Sequence, residues 1–208
     1  MDRFDPGRQP AGRPPAPGRL GYVQAYLNTF WDLERGGVER WRTPAAFGAW
    51  LARRGFGGEA SGSDLERALD VREALRALCL ANHGDPLEPA EGWRATALAA
   101  PAALAALDRA AVAIAPGAAL APRLGADGDG LEPAGDGPDA GVGLALGIVL
   151  AARADGSWSR MKACPHGQCG WVFFDASRNR SSQWCSMRLC GNRTKGAAFR
   201  RRRSHVAR

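Results

Sequence analysis

Four of the five cysteines of this 208-residue chain fall in its last quarter, as two pairs. Four residues separate Cys164 from Cys169, four separate Cys185 from Cys190, and fifteen lie between the pairs. Two close cysteine pairs flanking a loop are the sequence form of a tetrahedral site of four thiolates. The opening stretch, 1–21, is rich in proline, glycine and arginine and has none of the apolar run of a secretory leader. A reducing, cytoplasmic setting is therefore expected, and disulfides are disfavoured. One structural Zn2+ is expected on Cys164, Cys169, Cys185 and Cys190. So small a module cannot fold on apolar burial alone, and the metal would supply much of its folding energy.

The residues around the cysteines suit this role. Cys164-Pro165 and Cys169-Gly170 have the form of a knuckle, proline setting the entry and glycine permitting a turn that aims backbone N–H groups at sulfur. Four thiolates on a divalent ion carry a net negative charge, which calls for such donors and for nearby arginine. Trp171-Val172-Phe173-Phe174 reads as a short strand, followed by a polar arm from Asp175 to Gln183. The second pair is expected at the start of a C-terminal helix. Knuckle, short strands and ligand-bearing helix start make a treble-clef-like arrangement.

Charge is distributed unevenly. The chain carries +7, and only Lys162 and Lys195 are lysines. From Arg160 to Arg208 there are twelve basic residues against one acid, Asp175, leaving the preceding 159 residues at −4. A mildly acidic body with a strongly basic tail is the electrostatic footprint of a polyanion binder. Arg178 and Arg180 lie in the polar arm; Asn192, Arg193, Lys195, Arg200, Arg201, Arg202 and Arg203 lie on or after the last helix. Arginine can contact guanine bidentately and asparagine can contact adenine, whereas the run 200–203 suits phosphates. For Asn192 and Arg193 structural roles compete: Asn192 capping the helix and Arg193 neutralising the thiolates.

The cysteine flanks also carry a resemblance. Cys164-Pro165, Cys169-Gly170-Trp171, Phe173, Asp175, Ser177-Arg178-Asn179, Trp184-Cys185-Ser186-Met187 and Cys190-Gly191-Asn192-Arg193 with Lys195 resemble the CGNR zinc finger, over roughly 160–203. In that family the finger follows an N-terminal domain named ABATE, and members are regarded as stress-related transcription regulators. Leu27-Asn28-Thr29, Val71-Arg72-Glu73 and Met161-Lys162-Ala163-Cys164 are similar to the family's N-terminal part. The proline-, glycine- and arginine-rich composition of 1–19 predicts a disordered tail, and the resemblance implies an ABATE-like domain over 20–157 and the finger with its basic tail over 158–208.

Hydrophobic periodicity agrees with an α+β chain: a mostly helical N-terminal domain with a small sheet, then the finger. Val23, Tyr26, Leu27 and Phe30 recur at helical spacing. Thr43-Pro44 caps a helix carrying Phe47, Trp50 and Leu51. Ser63 with Glu66 forms a capping box opening a long helix through Leu65, Leu69, Leu75, Leu78 and Cys79. Pro101 breaks the alanine-rich region, leaving a helix over 102–114. Leu120–Leu124 and Leu131–Pro133 flank a turn-rich segment and suggest a hairpin. The stretch 138–153 is apolar nearly all round, a buried helix, and 158–163 reads as a strand leading into the finger.

No apolar run is long enough for a membrane span. Cys79 is expected as a small core hydrophobe, and the fingerprint-like Gly141, Gly143 and Gly147 as packing residues. A closed shell of four cysteines leaves no open position for catalysis, so an enzyme is not expected. Asn28, Thr29 and Arg72 are candidates for a ligand pocket in the body. The function expected is transcription regulation, with finger and tail on duplex DNA and the body binding a small-molecule effector or forming a homodimer. The alternative is a zinc-stabilised adaptor for RNA or an acidic protein.

Overall fold

In a computed structural model, the described residues are 2–31, 38–84, 100–123, 130–166, 169–194 and 196. Helix α1, Leu20–Leu27, is the axis of the body, and all eight of its residues are buried. Its two tyrosines hold neighbouring helices through backbone oxygens: the Tyr22 hydroxyl donates to Gly141 and the Tyr26 hydroxyl to Ala68, each at 2.9 Å. Around them the aromatics meet edge to face, with Tyr26 and Trp41 centroids 4.9 Å apart and Trp41 and Trp50 5.1 Å apart. A two-residue ladder, β1 (Phe30–Trp31) with β2 (Val38–Glu39), leads to α2, Pro44–Ala52, where the Thr43 side chain accepts the Ala46 N–H as expected.

Helix α3, Gly62–Ala81, opens earlier than the sequence suggested. Its capping box is Ser61 with Asp64, not Ser63 with Glu66: the Asp64 backbone donates to the Ser61 hydroxyl and the Ser61 backbone donates to the Asp64 carboxylate. Helix α4, Ala100–Ile114, takes Pro101 into its first turn, where the missing N–H costs nothing. The suggested hairpin forms as β3 (Leu120–Arg123) against β4 (Gly130–Pro133), antiparallel. Helix α5, Pro138–Ala154, is buried along most of its length. Gly141 and Gly143 allow this close packing, since a Cβ at either would collide with Leu51 or with Ala118.

Two further expectations are corrected. The strand read over 158–163 is a 3-10 turn at Ser157–Arg160 followed by a short strand β5, Met161–Ala163. Its partner β6, Val172–Phe174, offers only three residues to pair with. The tail read as disordered is laid against the molecule: Gln9 and Ala16 are buried, and Pro10–Gly12 makes a 3-10 turn. Its composition gives few apolar groups to bury, but its polar side chains reach backbone carbonyls that composition does not reveal.

Candidate metal centre and nucleic-acid interface

The β5–β6 ladder positions the first cysteine pair. The Cys164 N–H donates to Trp171 O at 2.9 Å as the ladder's last rung, and the Cys169 N–H closes the first turn on His166 O at 2.8 Å. Gly170 then takes φ +62°, a conformation that a side chain would strain. The second pair stands on a π-helical turn, Met187–Gly191, whose start is fixed by Ser186: its hydroxyl accepts the Leu189 N–H and its carbonyl accepts those of Cys190 and Gly191. Ser186 thus takes the capping role read for Asn192, which lies within the helical run at φ −66°, ψ −37°.

These two turns bring all four sulfurs within 4.8 Å of one another, and all four cysteines are buried. Cys185 Sγ is 3.5 Å from that of Cys169 and 3.6 Å from that of Cys190. Zinc–sulfur bonds of about 2.3 Å in a tetrahedron place sulfurs about 3.8 Å apart, so the cage matches zinc in ligand type, number and size. His166 is not part of the cluster. The proximity of Cys169, Cys185 and Cys190, with the Cys185 backbone, drives the Cys164 thiol far below its ordinary pKa. The same contacts push the Cys169 and Cys185 thiols up, so the clustered thiols hold protons that a bound metal would displace. A zinc held here is structural, joining the turn at β5–β6 to the π-helical turn.

The arm after β6 is organised by one acid. Asp175 is fully buried and meets Lys162 Nζ at 2.9 Å, the Ser177 hydroxyl at 2.6 Å and the Ser182 N–H at 3.0 Å. Burial tends to raise its pKa, but these partners outweigh it and hold the carboxyl well below the usual range. Lys162 also donates to the carbonyls of Arg180 and Ser182, and Arg160 donates to those of Asp175 and Ser177. The arm therefore presents Arg178 and Arg180 outward on a braced loop, with one Arg180 N–H on Ser159 Oγ. Arg188, Asn192 and Arg193 are exposed on the second turn, beside Met187 at 48% and Leu189 at 38% exposure. Lys195, Arg200, Arg201, Arg202 and Arg203 lie outside the described residues.

The three residues read as a ligand pocket are engaged with protein instead. Asn28 behaves as an extra rung beside β6: its side chain donates to Val172 O and accepts the Val172 N–H, both at 2.8 Å. Thr29 Oγ1 donates to Tyr26 O and accepts from Arg72, which also forms a two-pronged ion pair with Glu39 and another with Glu73. Satisfying buried polar groups explains their position in an otherwise apolar face. Cys79 is fully buried and burial pushes its thiol pKa up, in keeping with a core role.

Sequence reasoning missed the residues that join body to finger. Arg76, 1% exposed, donates to Gly170 O beside the first knuckle, to Leu27 O and Phe30 O, and pairs with Glu73. Asn82 donates to Trp158 O and Met161 O at 2.8 and 2.9 Å, and His83 Nε2 meets Ala163 O at 2.7 Å. Trp31 and Trp171 pack edge to face at 5.2 Å. One signal was available for Arg76: with Arg72 it places two arginines four apart on a helix face carrying Leu75 and Cys79, where buried charges require partners.

Comparison with known families agrees with this geometry. A model described as "Putative stress-induced transcription regulator" (ABATE) matches residues 22–156, and one described as "CGNR zinc finger" matches residues 160–203. No curated protein matches the chain. Among the described residues no helix is long and apolar enough to cross a membrane. With four cysteines clustered where the second model places the finger, the chain belongs to the ABATE family and carries a CGNR zinc finger that binds one structural zinc ion.

Proposed function

We propose that the protein regulates transcription by binding duplex DNA through the finger, the helical body serving as platform and effector-binding part. The observation that carries this reading is the division of the finger's surface. The body takes the β5–β6 side through Asn28, Arg76, Asn82 and His83, while the exposed positions of the arm and the second turn hold Arg178, Arg180, Arg188, Asn192 and Arg193. The single acid after Arg160, Asp175, is buried and neutralised by Lys162, so it does not dilute this positive face. Fixed arginines on braced backbone suit phosphate and base-edge contacts, and the run 200–203 adds charge for the backbone. With Asn28, Thr29 and Arg72 committed to protein, the effector is better placed in a cavity of about 370 Å³ lined by Arg19, Leu20, Leu131, Ile148, Ala152 and Asp155.

Selection of a random duplex pool on the zinc-loaded protein, followed by a salt series, tests this. A single enriched motif is expected. Arg188→Ala with Arg193→Ala should flatten the slope of log affinity against log salt by about 0.9 for each phosphate left without its arginine. Salt-sensitive binding to RNA or to an acidic protein, with no duplex motif, would replace this reading with the adaptor role.

A further inference from the structure

Residues 2–19 lie outside both family matches, yet they reach the finger across most of the chain's length. Arg13 is their centre. Its guanidinium donates to Cys185 O at 3.1 Å, Trp184 O at 2.9 Å and Phe174 O at 3.3 Å, and lies over the Phe173 ring, 4.4 Å from its centroid. Phe173 and Phe174 belong to the strand after the first knuckle, whereas Trp184 and Cys185 lead into the second. One side chain thus ties together the two halves that must stay apposed for four sulfurs to share an ion. It also brings positive charge beside a zinc–thiolate cluster of formal charge −2, which needs such compensation.

The segment is anchored on both sides of Arg13. The Gln9 side chain donates to Pro6 O and Gly7 O and accepts from Gln24 and from the Trp171 indole N–H, while the Ala16 N–H donates to Gln24 Oε1 at 2.7 Å. Further back, Arg3 donates to Arg54 O and pairs with Glu132, with which Arg19 also pairs. Gly21 on α1 leaves the space this path requires: a Cβ there would overlap the Phe4 carbonyl oxygen.

We propose that residues 2–19 form a clamp on the finger, with Arg13 as a positioning residue that holds the second cysteine pair in its zinc-binding arrangement. Arginine is needed rather than any cation, because three carbonyls and a ring face are met at once by a planar fork.

The test is zinc retention of the full-length, zinc-loaded protein against a metallochromic chelator, with urea unfolding of the helical signal measured alongside. Loss of an outer partner of a metal ligand costs about 10- to 100-fold in affinity, and Arg13→Ala should fall in that range while the body's urea midpoint stays near the parent's. Arg13→Lys should restore little of the retention. Gly21→Ala raises helix propensity in α1 but displaces the segment at Phe4, so it should loosen zinc from a distance. Retention in Arg13→Ala within twofold of the parent would overturn the clamp. Full rescue by lysine would overturn the positioning role, leaving charge alone as the contribution.

Discussion

The helical body buries Tyr22, Tyr26, Trp41, Phe47, Trp50 and Leu75 in one continuous core, whereas the finger's own core consists of Trp171, Phe173 and its four cysteines. Fully burying a large apolar side chain contributes about 1.5–3 kcal/mol, and ordering each backbone residue costs about 1–2 kcal/mol. The body has apolar side chains enough to stand on burial; the finger, with two buried aromatics in its own cluster among the described residues and a three-residue ladder, does not. What the finger lacks is supplied by metal from within and, from without, by hydrogen bonds that body side chains make to its backbone. The contrast teaches that a small metal module can borrow order from its neighbour, here through those hydrogen bonds and by lending Met161, Ala163 and Val172 to the body's core.

The strongest way to break this contrast is to remove the metal. Structural zinc contributes about 10–16 kcal/mol in isolated fingers, so Cys185→Ser or chelation should abolish the tertiary signal of Trp171 and Trp184. The helices of α1, α3 and α5 should remain, with their own cooperative urea transition. If far-ultraviolet circular dichroism shows the helices melting as zinc leaves, burial does not hold the body by itself.

Next in size is the joint between the regions. Arg76→Met removes a guanidinium serving Gly170 O, Leu27 O and Phe30 O, and leaves Glu73 with Arg72 as its cation. Taking one partner from a buried charged network costs about 3–5 kcal/mol, to be read as a lowered urea midpoint of the zinc-loaded protein. A change below about 1 kcal/mol would mean that methionine packing replaces the charge.

Acid should weaken the same joint. Burial tends to raise the Glu73 carboxyl pKa, but the Arg76 and Arg72 guanidiniums outweigh it and hold the group below its usual 4.5. The folded value is the lower one, so the stabilisation is complete above the unfolded value and is lost as pH falls from about there through the folded value. Glu73→Gln should cost about 1.5–3 kcal/mol at neutral pH, and its deficit relative to the parent should shrink below pH 4.5 in urea unfolding. A deficit independent of pH would place the effect of the substitution in shape rather than charge.

The two regions were unequally legible in the sequence. Cys164, Cys169, Cys185 and Cys190 announce themselves because metal ligands require one residue type at short, fixed spacing, and the surrounding knuckle follows from the same chemistry. Thr43-Pro44, the hairpin at β3 and β4, and the buried face of α5 were legible for the equally local reason of periodicity and turn chemistry. Arg13 was not: its acceptors are carbonyls 161 to 172 residues away, and a carbonyl oxygen carries no side-chain signature. Asn28, Thr29 and Arg72 were singled out for a sound reason, polar groups on an apolar face. Their distant partners, Val172 for Asn28 and Glu39 for Arg72, lie beyond what local pattern encodes, whereas Glu73 is Arg72's neighbour in sequence.

The smallest expected effect separates two readings of a single helix start. Ser61-Gly62-Ser63-Asp64-Leu65-Glu66 contains the capping pattern twice, in registers two residues apart, and local chemistry favours neither. The packed structure selects the earlier one, in which Asp64 caps the Ser61 backbone and pairs with Arg67, and Arg67 reaches Asp139 on α5 at 3.0 Å. Choosing Ser63 would forgo that link between helix start and body, because Asp64 would leave its capping position. Ser61→Ala should therefore cost about 0.5–2 kcal/mol in urea unfolding, the usual worth of an N-cap, and Ser63→Ala should lie within experimental error of the parent. Equal losses at the two positions would mean that α3 frays between both starts, and that its first turn is held by tertiary contacts rather than by its cap.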